Sequence, residues 1–306
     1  MSGTSKNLLV VLGPTASGKT ALGVRLAHEF GGEIVSADSR QVYRGLDIGA
    51  GKDPEEYEIF GRSIAYHLID VVDLDCEFSL FDYQQMFYSV FAEISTRCAL
   101  PVMVGGSGLY LESVLCAYEL VEVPTDPGLR AGLAKLSTGE LEERLRLLQG
   151  KLHNVTDLAS RERTLRAIEI AVHSKDKKPP APPELRPLVL GTRFERDELR
   201  RRIEHRLEQR LQAGLVEEVE HLHARGFSWE RLDSLGLEYR HVGRFIRGQT
   251  TGREELFASL SSAIYKFAMR QLGWFRRMER KGIEIQWIDK ADQDRALAIA
   301  RARLRS

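Results

Sequence analysis

The chain is poor in the features that would point to a secreted, metal-binding or membrane protein. Its 306 residues hold three cysteines, Cys76, Cys98 and Cys116, an odd number with no metal-ligand spacing. They read as buried or free thiols in a reducing compartment, which excludes a disulfide framework and a zinc site. No apolar run approaches the roughly 18 residues of a membrane span. No secretory pattern precedes the first apolar segment, since the opening six residues lead straight into it. The expectation is therefore a cytoplasmic protein that meets no membrane. Internal repeats are absent as well. Net charge is also lacking, with 44 Lys and Arg against 44 Asp and Glu, but the balance is uneven. Residues 191–306 carry 24 basic against 18 acidic side chains, leaving 20 against 26 in residues 1–190. A basic C-terminal half permits a polyanionic partner without demanding one. On charge alone, a solvated helical surface is the simpler reading. A chain of this length predicts one large domain, or a core plus a smaller unit.

What is present begins almost at once. Leu8-Leu9-Val10-Val11-Leu12 reads as a buried parallel strand, and Gly13-Pro14-Thr15-Ala16-Ser17-Gly18-Lys19-Thr20 fits the phosphate-loop pattern G-x-x-x-x-G-K-[ST]. Residues 21–30 then read as a helix with Leu22, Leu26 and Phe30 on one stripe. Strand, loop and helix stand in the order the motif needs. The glycines let backbone N–H groups converge on phosphate oxygens, the helix N-terminus adds its positive end, Lys19 brings a point charge, and the Thr20 hydroxyl can hold Mg²⁺. The loop predicts a phosphorylated ligand and names neither that ligand nor a kinase.

Residues 33–36 read as a second strand running into Ala37-Asp38-Ser39-Arg40-Gln41. In an open parallel sheet, ligands bind beyond the carboxyl ends of strands, which sets Asp38 beside the phosphate loop. A carboxylate there can hold Mg²⁺ through water, accept a proton from a nucleophile, or merely cap a turn. Residues 46–60 read as loop and 66–72 as an apolar strand, and His67 at its start has a functional or, more simply, a structural reading. A helix is predicted over 81–97, with Phe87, Val90, Phe91 and Ile94 buried, and a strand over 101–104. Gly105-Gly106-Ser107-Gly108 follows that strand, a second place where backbone can approach a ligand, with Ser107 its only polar side chain.

After Tyr118 strand-like runs cease until residues 188–191, and helices are predicted over 126–136, 138–149 and 161–172, followed by a polar, proline-rich linker at 175–187. Arg163 and Arg166 share one side of the last of these helices. Beyond a strand at 188–191 the chain reads as helical, over 197–213, 215–225 and 256–280, with a short strand at 283–288. Glu217 and Glu218 are expected in solvent on an amphipathic helix. Residues 266–281 hold six basic side chains against one acidic. Lys266, Arg270, Trp274, Arg277 and Lys281 share a helical face there, an arrangement suited either to a nucleic-acid strand or to a salt-bridged surface with Trp274 in the core.

With these pieces collected, the chain resembles the tRNA dimethylallyltransferases, also called tRNA isopentenyltransferases, over nearly its whole length. The resemblance rests on GPTASGKT at 13–20, SADSRQVYRGLDIG at 36–49, HLID at 67–70, PVMVGGSGLYL at 101–111 and RTLRAIE at 163–169. It continues through RDELRRRIEHR at 196–206, GLVEEV at 214–219, GLEYR at 236–240 and RQLGWFRR at 270–277. It implies an α/β fold, a P-loop parallel sheet core flanked by helices with a mostly helical insertion and a helical C-terminal region. The implied division is a catalytic core over 1–120, a tRNA-binding insertion over 121–178, and the rest of the core with a tRNA-binding region over 179–306. The implied reaction moves a dimethylallyl group from dimethylallyl diphosphate to N6 of the adenine next to the anticodon, on its 3′ side, in tRNA. Gly13, Thr15, Ala16, Ser17, Gly18, Lys19, Thr20 and Arg196 would bind the diphosphate, and Thr20 would ligate Mg²⁺. Asp38 would accept the amine proton, with Ser107 near the bridging oxygen. A splayed-out adenine and single-stranded recognition would follow. Asp38, Ser39, Arg40, Gln41, Ser107, Arg130, Arg163, Arg166, Arg270, Trp274 and Arg277 are the implied tRNA contacts. The expected assembly is a monomer with no obligate protein partner.

The chain departs from the family pattern in places. Ser107 stands for the usual Thr and keeps the hydroxyl. Met269 stands for Lys, Gly273 for Thr, and Ile264-Tyr265 for a Thr-Arg pair, so the basic helix is thinner. The insertion is on the short side. Two other activities share the phosphate loop: prenylation of free adenine nucleotides and phosphorylation of a small metabolite. A binding module that keeps the loop as a relic is disfavoured by the intact Lys19-Thr20 and Asp38.

Overall fold

The computed structural model describes residues 6–149, 161–174 and 177–304. The chain forms two compact units, Met1–Ala117 with Pro183–Ser306, and Tyr118–Pro182. In the first, six parallel strands form one sheet: β1 (Leu8–Leu12), β2 (Gly32–Ala37), β5 (Tyr66–His67), β6 (Leu100–Gly105), β7 (Pro187–Arg193) and β8 (Ile285–Asp289). Their spatial order is β5-β2-β6-β1-β7-β8. The intervening β3 (Glu58–Ile59) and β4 (Arg62–Ser63) make a separate antiparallel pair. Both faces of the sheet are covered, which is why β1 is apolar at every position and buried throughout.

Alternate residues of β1 enter different cores. Leu9 and Val11 pack with Leu22 and Leu26 of α1 (Lys19–Phe30) and with Ala296, Leu297 and Ala300 of α12 (Gln293–Arg303). Leu8, Val10 and Leu12 join a larger core built from the remaining helices of this unit. These are α2 (Leu80–Thr96), α3 (Gly108–Leu115), α7 (Arg196–Gln212), α8 (Leu215–Ala224), α9 (Trp229–Ser234), α10 (Leu237–Ile246) and α11 (Arg253–Arg280). A capping box starts α2, with Ser79 Oγ accepting from the Asp82 N–H while the Asp82 carboxylate accepts from the Ser79 N–H. Among the described residues no helix is long and apolar enough to cross a membrane.

Some sequence expectations need correction. The strand expected over 66–72 ends at His67, because Leu68 and Asp70 turn into the left-handed region (φ 61° and 55°). Lys52, buried, ties Asp70 into the loop by an ion pair, and only Val72 pairs again, through a single bridge to Tyr43. The loop expected over 46–60 contains a 3₁₀ turn at Pro54–Tyr57 and the strand β3. Val90 is half-buried, flanking a stripe of buried Phe87, Phe91 and Ile94.

In the second unit, α4 (Pro127–Leu133), α5 (Thr138–Gln149) and α6 (Arg161–His173) enclose Leu133, Leu141, Leu145, Leu165 and Ile168. Glu169 is fully buried there and organises the unit. Its carboxylate accepts from Arg130 Nε (2.8 Å), from Arg166 Nη1 (3.3 Å) and from the Asp126 N–H (3.0 Å).

Candidate active site

Strand register decides where the site forms. Gly105 lies opposite both Leu12 and Ala37, so β1, β2 and β6 end together and their following loops meet at one edge of the sheet. The phosphate loop leaves β1 there. Ala16 and Gly18 are left-handed (φ 59° and 72°) and Ser17 between them is not, an alternation that turns successive N–H groups toward one concavity. The loop is braced on all sides. Thr192 Oγ1 donates to Ser17 Oγ (2.7 Å), and Arg202 Nε donates to the Ala16 carbonyl (2.7 Å). The Thr15 N–H donates to Gln271 Oε1 (2.9 Å), so this amide is already engaged within the protein.

Beside the loop lies a cavity of about 440 Å³. Ala16–Thr20 form one wall, Asp47, Ile48, Lys52, Asp53 and Glu56 a second, and Arg202, His205, Arg206 and Arg210 of α7 a third. Loss of solvation pushes the Lys19 ammonium down to about 8, with Asp38 opposing the shift and Arg206 reinforcing it. Arg206 Nη2 donates to Asp53 Oδ2 (2.8 Å), and Arg210 faces Glu238 at 3.7 Å. Burial pushes Arg210 down and Glu238 up, each opposed by the other's charge. Such a concentration of half-desolvated cations suits an anion of diphosphate size. Arg196, the sequence-based choice for this wall, opens α7 exposed and does not line the cavity. The arginines that do line it recur at every fourth residue, 202, 206 and 210. That spacing was visible in RDELRRRIEHRLEQR and is the signal the sequence reading missed.

The second corner of the site joins β2 to β6. Ser107 Oγ accepts from the Ser39 N–H (2.9 Å), and the Ser107 N–H donates to the Ala37 carbonyl (3.1 Å). Asp38 Oδ1 accepts from the Arg40 N–H (2.9 Å), so the capping role is real, and among the described residues the other carboxylate oxygen has no hydrogen bond. Gln41 bridges Ser36 Oγ (2.8 Å) and the Gly51 carbonyl (3.1 Å). It is thereby a brace of the loop between β2 and the cavity.

Glu218 corrects the expectation of a solvated carboxylate. It accepts from the N–H groups of Asp47 (3.3 Å), Ile48 (2.6 Å) and Gly49 (3.1 Å) and from the Tyr239 hydroxyl (2.8 Å). One side chain thus unites GLVEEV, GLEYR and RGLDIG, three stretches far apart in sequence. Glycine is required at 49, where a Cβ would sit 2.6 Å from the Tyr239 ring.

The basic stretch of α11 divides in two. Gln271 and Trp274 face the glycine turn after β6, and Arg277 pairs with the fully buried Glu112 of α3 (3.4 Å) while lying over the Trp274 ring. Lys281 pairs with the same carboxylate. Trp274 and Arg277, both half-buried, thus have protein partners on the side of α11 expected to meet tRNA. Arg270 is exposed, its guanidinium over the Phe267 ring, and Lys266, Arg276 and Arg280 are exposed with it. In the second unit Arg130 and Arg166 are likewise held by Glu169, whereas Arg163 is exposed.

Residues 41–278 match the family model of the IPP transferases. This chain belongs to that family. Similar IPP transferases include tRNA dimethylallyltransferase 1 of Syntrophus aciditrophicus, 51% identical over 304 residues and covering 98% of this chain and 99% of its own. Another is tRNA dimethylallyltransferase 2 of Syntrophotalea carbinolica, 54% identical over 287 residues, with 93% and 95% covered. Among solved structures, the tRNA isopentenylpyrophosphate transferase of Bacillus halodurans superposes with a TM-score of 0.71 at 30% identity, covering 98% of this chain and 97% of that one. A eukaryotic dimethylallyltransferase acting on tRNA shares the fold at 21% identity, with a TM-score of 0.69. The parallel sheet flanked by helices is thus the architecture of this prenyltransferase family.

Proposed function

We propose that this IPP transferase moves a dimethylallyl group from dimethylallyl diphosphate to N6 of the adenine 3′-adjacent to the anticodon in tRNA. The observation that carries the proposal is the meeting, at one sheet edge, of a cation-walled cavity on the phosphate loop with the corner that holds Asp38 and Ser107. The diphosphate lies in the cavity on the N–H groups of residues 16–20, with Lys19 and the α7 arginines Arg202 and Arg206 neutralising the charge that grows as the allylic C–O bond breaks. Ser107 Oγ donates toward the bridging oxygen. The adenine amine forms the new C–N bond, and its proton passes to the free oxygen of Asp38. The Thr20 hydroxyl, an oxygen donor on the cavity wall, would hold Mg²⁺, which would add to that neutralisation. Among the described residues no cluster of three or more His, Cys, Asp or Glu forms a separate metal cage.

The anticodon loop lies against Ser39, Arg40 and the exposed cations of α11 led by Arg270. The unit at 118–182 supplies further tRNA contacts through Arg163, with Arg130 and Arg166 supporting its shape. The protein works as a cytoplasmic monomer. Mass analysis of tRNA after incubation with enzyme, Mg²⁺ and dimethylallyl diphosphate tests the proposal. One dimethylallyl group should replace one hydrogen on a single adenosine. Unmodified tRNA with prenylated AMP, or diphosphate left intact while ATP is consumed, would overturn it. Asp38→Asn should lower kcat by about 10²–10⁴-fold while tRNA affinity holds, because the amide cannot take the proton.

A further inference from the structure

Three separated segments converge on one buried amide. Gln271 projects from α11 with its side chain almost wholly enclosed, and both ends are used. Its Oε1 accepts from the Thr15 N–H of the phosphate loop at 2.9 Å, and its Nε2 donates to the Gly106 carbonyl, in the turn that carries Ser107, at 2.8 Å. The approach is as close as backbone allows. A Cβ on Gly106 would lie 2.5 Å from Gln271 Nε2 and 2.9 Å from the Gly13 carbonyl. The next turns of α11 continue the seat. Trp274 packs against Gly108, and Arg277 binds Glu112 one turn further along α3.

We infer that Gln271 is a positioning residue that fixes the distance between the anion-binding loop and Ser107. This inference rests on the functional reading above, since the two groups must act on opposite ends of one leaving group. The diphosphate anchors on the loop, and Ser107 must reach the oxygen at which the C–O bond breaks. A side-chain amide suits the task because it presents an acceptor and a donor at a fixed separation in one rigid plane. Neither end can be lost without leaving a buried backbone group unpaired. Misplacing a reacting group by about 1 Å costs up to about 100-fold in rate.

The test compares Gln271→Met, which fills the space and breaks both bonds, with Gln271→Glu, which keeps the acceptor and loses the donor. Three quantities are read: single-turnover kcat, KM for tRNA, and hydrogen exchange of the Thr15 amide. For Gln271→Met, kcat should fall about 10- to 100-fold, KM for tRNA should stay within about twofold, and Thr15 exchange should accelerate. For Gln271→Glu, Thr15 should remain protected while kcat still falls. Wild-type kcat in a folded Gln271→Met protein, or an unchanged Thr15 exchange rate, would overturn the inference. A loss confined to melting temperature and KM for tRNA would do the same. If the wild-type enzyme transferred nothing to tRNA, the functional reading would fail first. Thr15 exchange and calorimetric binding of inorganic diphosphate by the wild type and Gln271→Met would still test the clamp: unchanged exchange and affinity would overturn it.

Discussion

Two stretches of this enzyme, α7 and the end of α11 with its cap, carry rows of basic residues that look alike in sequence and end differently. On α7 the guanidinium groups at 202, 206 and 210 face a cavity beside the phosphate loop. Only partial compensation reaches them, from Asp53 and, at 3.7 Å, from Glu238. On α11 the row at 277 and 281 meets Glu112, a carboxylate with no exposure, and is neutralised inside the protein. The remaining cations of the 266–281 stretch, Lys266, Arg270, Arg276 and Arg280, lie in solvent with no ion pair among the described residues. A buried carboxylate opposite a basic row turns it into structure. An open space opposite it leaves a field available to an anion. Counting charges along a helix cannot separate the two cases, because the deciding group sits on another element.

The comparison can be broken at several points. The largest effect is expected where α11 meets Glu112. Removing both partners, Arg277→Ala with Lys281→Ala, strands a buried carboxylate and should cost about 3–5 kcal/mol of stability in denaturant titration. A shift below about 1 kcal/mol would class these pairs with ordinary surface bridges.

On α7 the expected loss is in binding. Arg206→Ala removes a cation and uncovers Asp53, so affinity for inorganic diphosphate should drop about 10- to 100-fold by calorimetry, the value of one or two charge-assisted contacts. Unchanged affinity would mean that the α7 row is internally satisfied as the α11 row is.

The pH dependence sharpens the same point. The Lys19 pKa falls from 10.5 to about 8 in the folded protein, so the unfolded chain holds the extra proton between those values and this group's contribution makes stability rise with pH across that interval. Ligand binding runs the other way. Above pH 8 an arriving anion restores the proton, so affinity for diphosphate should decline as pH rises, and calorimetry in buffers of different ionisation enthalpy should detect proton uptake. Lys19→Ala should abolish that uptake. The smallest effect is expected at Arg270. Its replacement by Ala should reduce the slope of log K for tRNA against log salt by about one unit, whereas an unchanged slope would assign the exposed face of α11 no contact.

How much of this was legible beforehand follows from how local each signal is. The phosphate loop, the strand before it and the helix after it are written in contiguous residues, and they form as expected. So do Asp38 at the end of β2 and Ser107 at the end of β6, because strand ends follow from apolar runs and turn residues. The sequence pattern misplaces Glu218 in solvent, since its acceptor role rests on three N–H groups from a loop about 170 positions earlier. Gln271 is similar, meeting Gly106 across 165 positions. The truncated strand at Tyr66–His67 failed for the opposite reason. Its apolar pattern was sound, but the ion pair of Lys52 with Asp70 and the left-handed Leu68 impose a bend that periodicity does not encode. Helix α10 joins the core through Tyr239 and Val242, and Tyr239 reaches Glu218 on α8 and Gly49 in the loop after β2.

The carboxylate of Glu218 has a consequence for the cost of recognition. The turn at Asp47–Gly49 is folded around a negative charge belonging to the protein itself. A loop that had to wrap an incoming ligand would lose conformational freedom at that moment, about 1–2 kcal/mol for each residue ordered. Here that ordering is completed when the chain folds. The binding wall is already in shape before a substrate arrives, and the affinity of the contacts it makes is not diminished by having to build it.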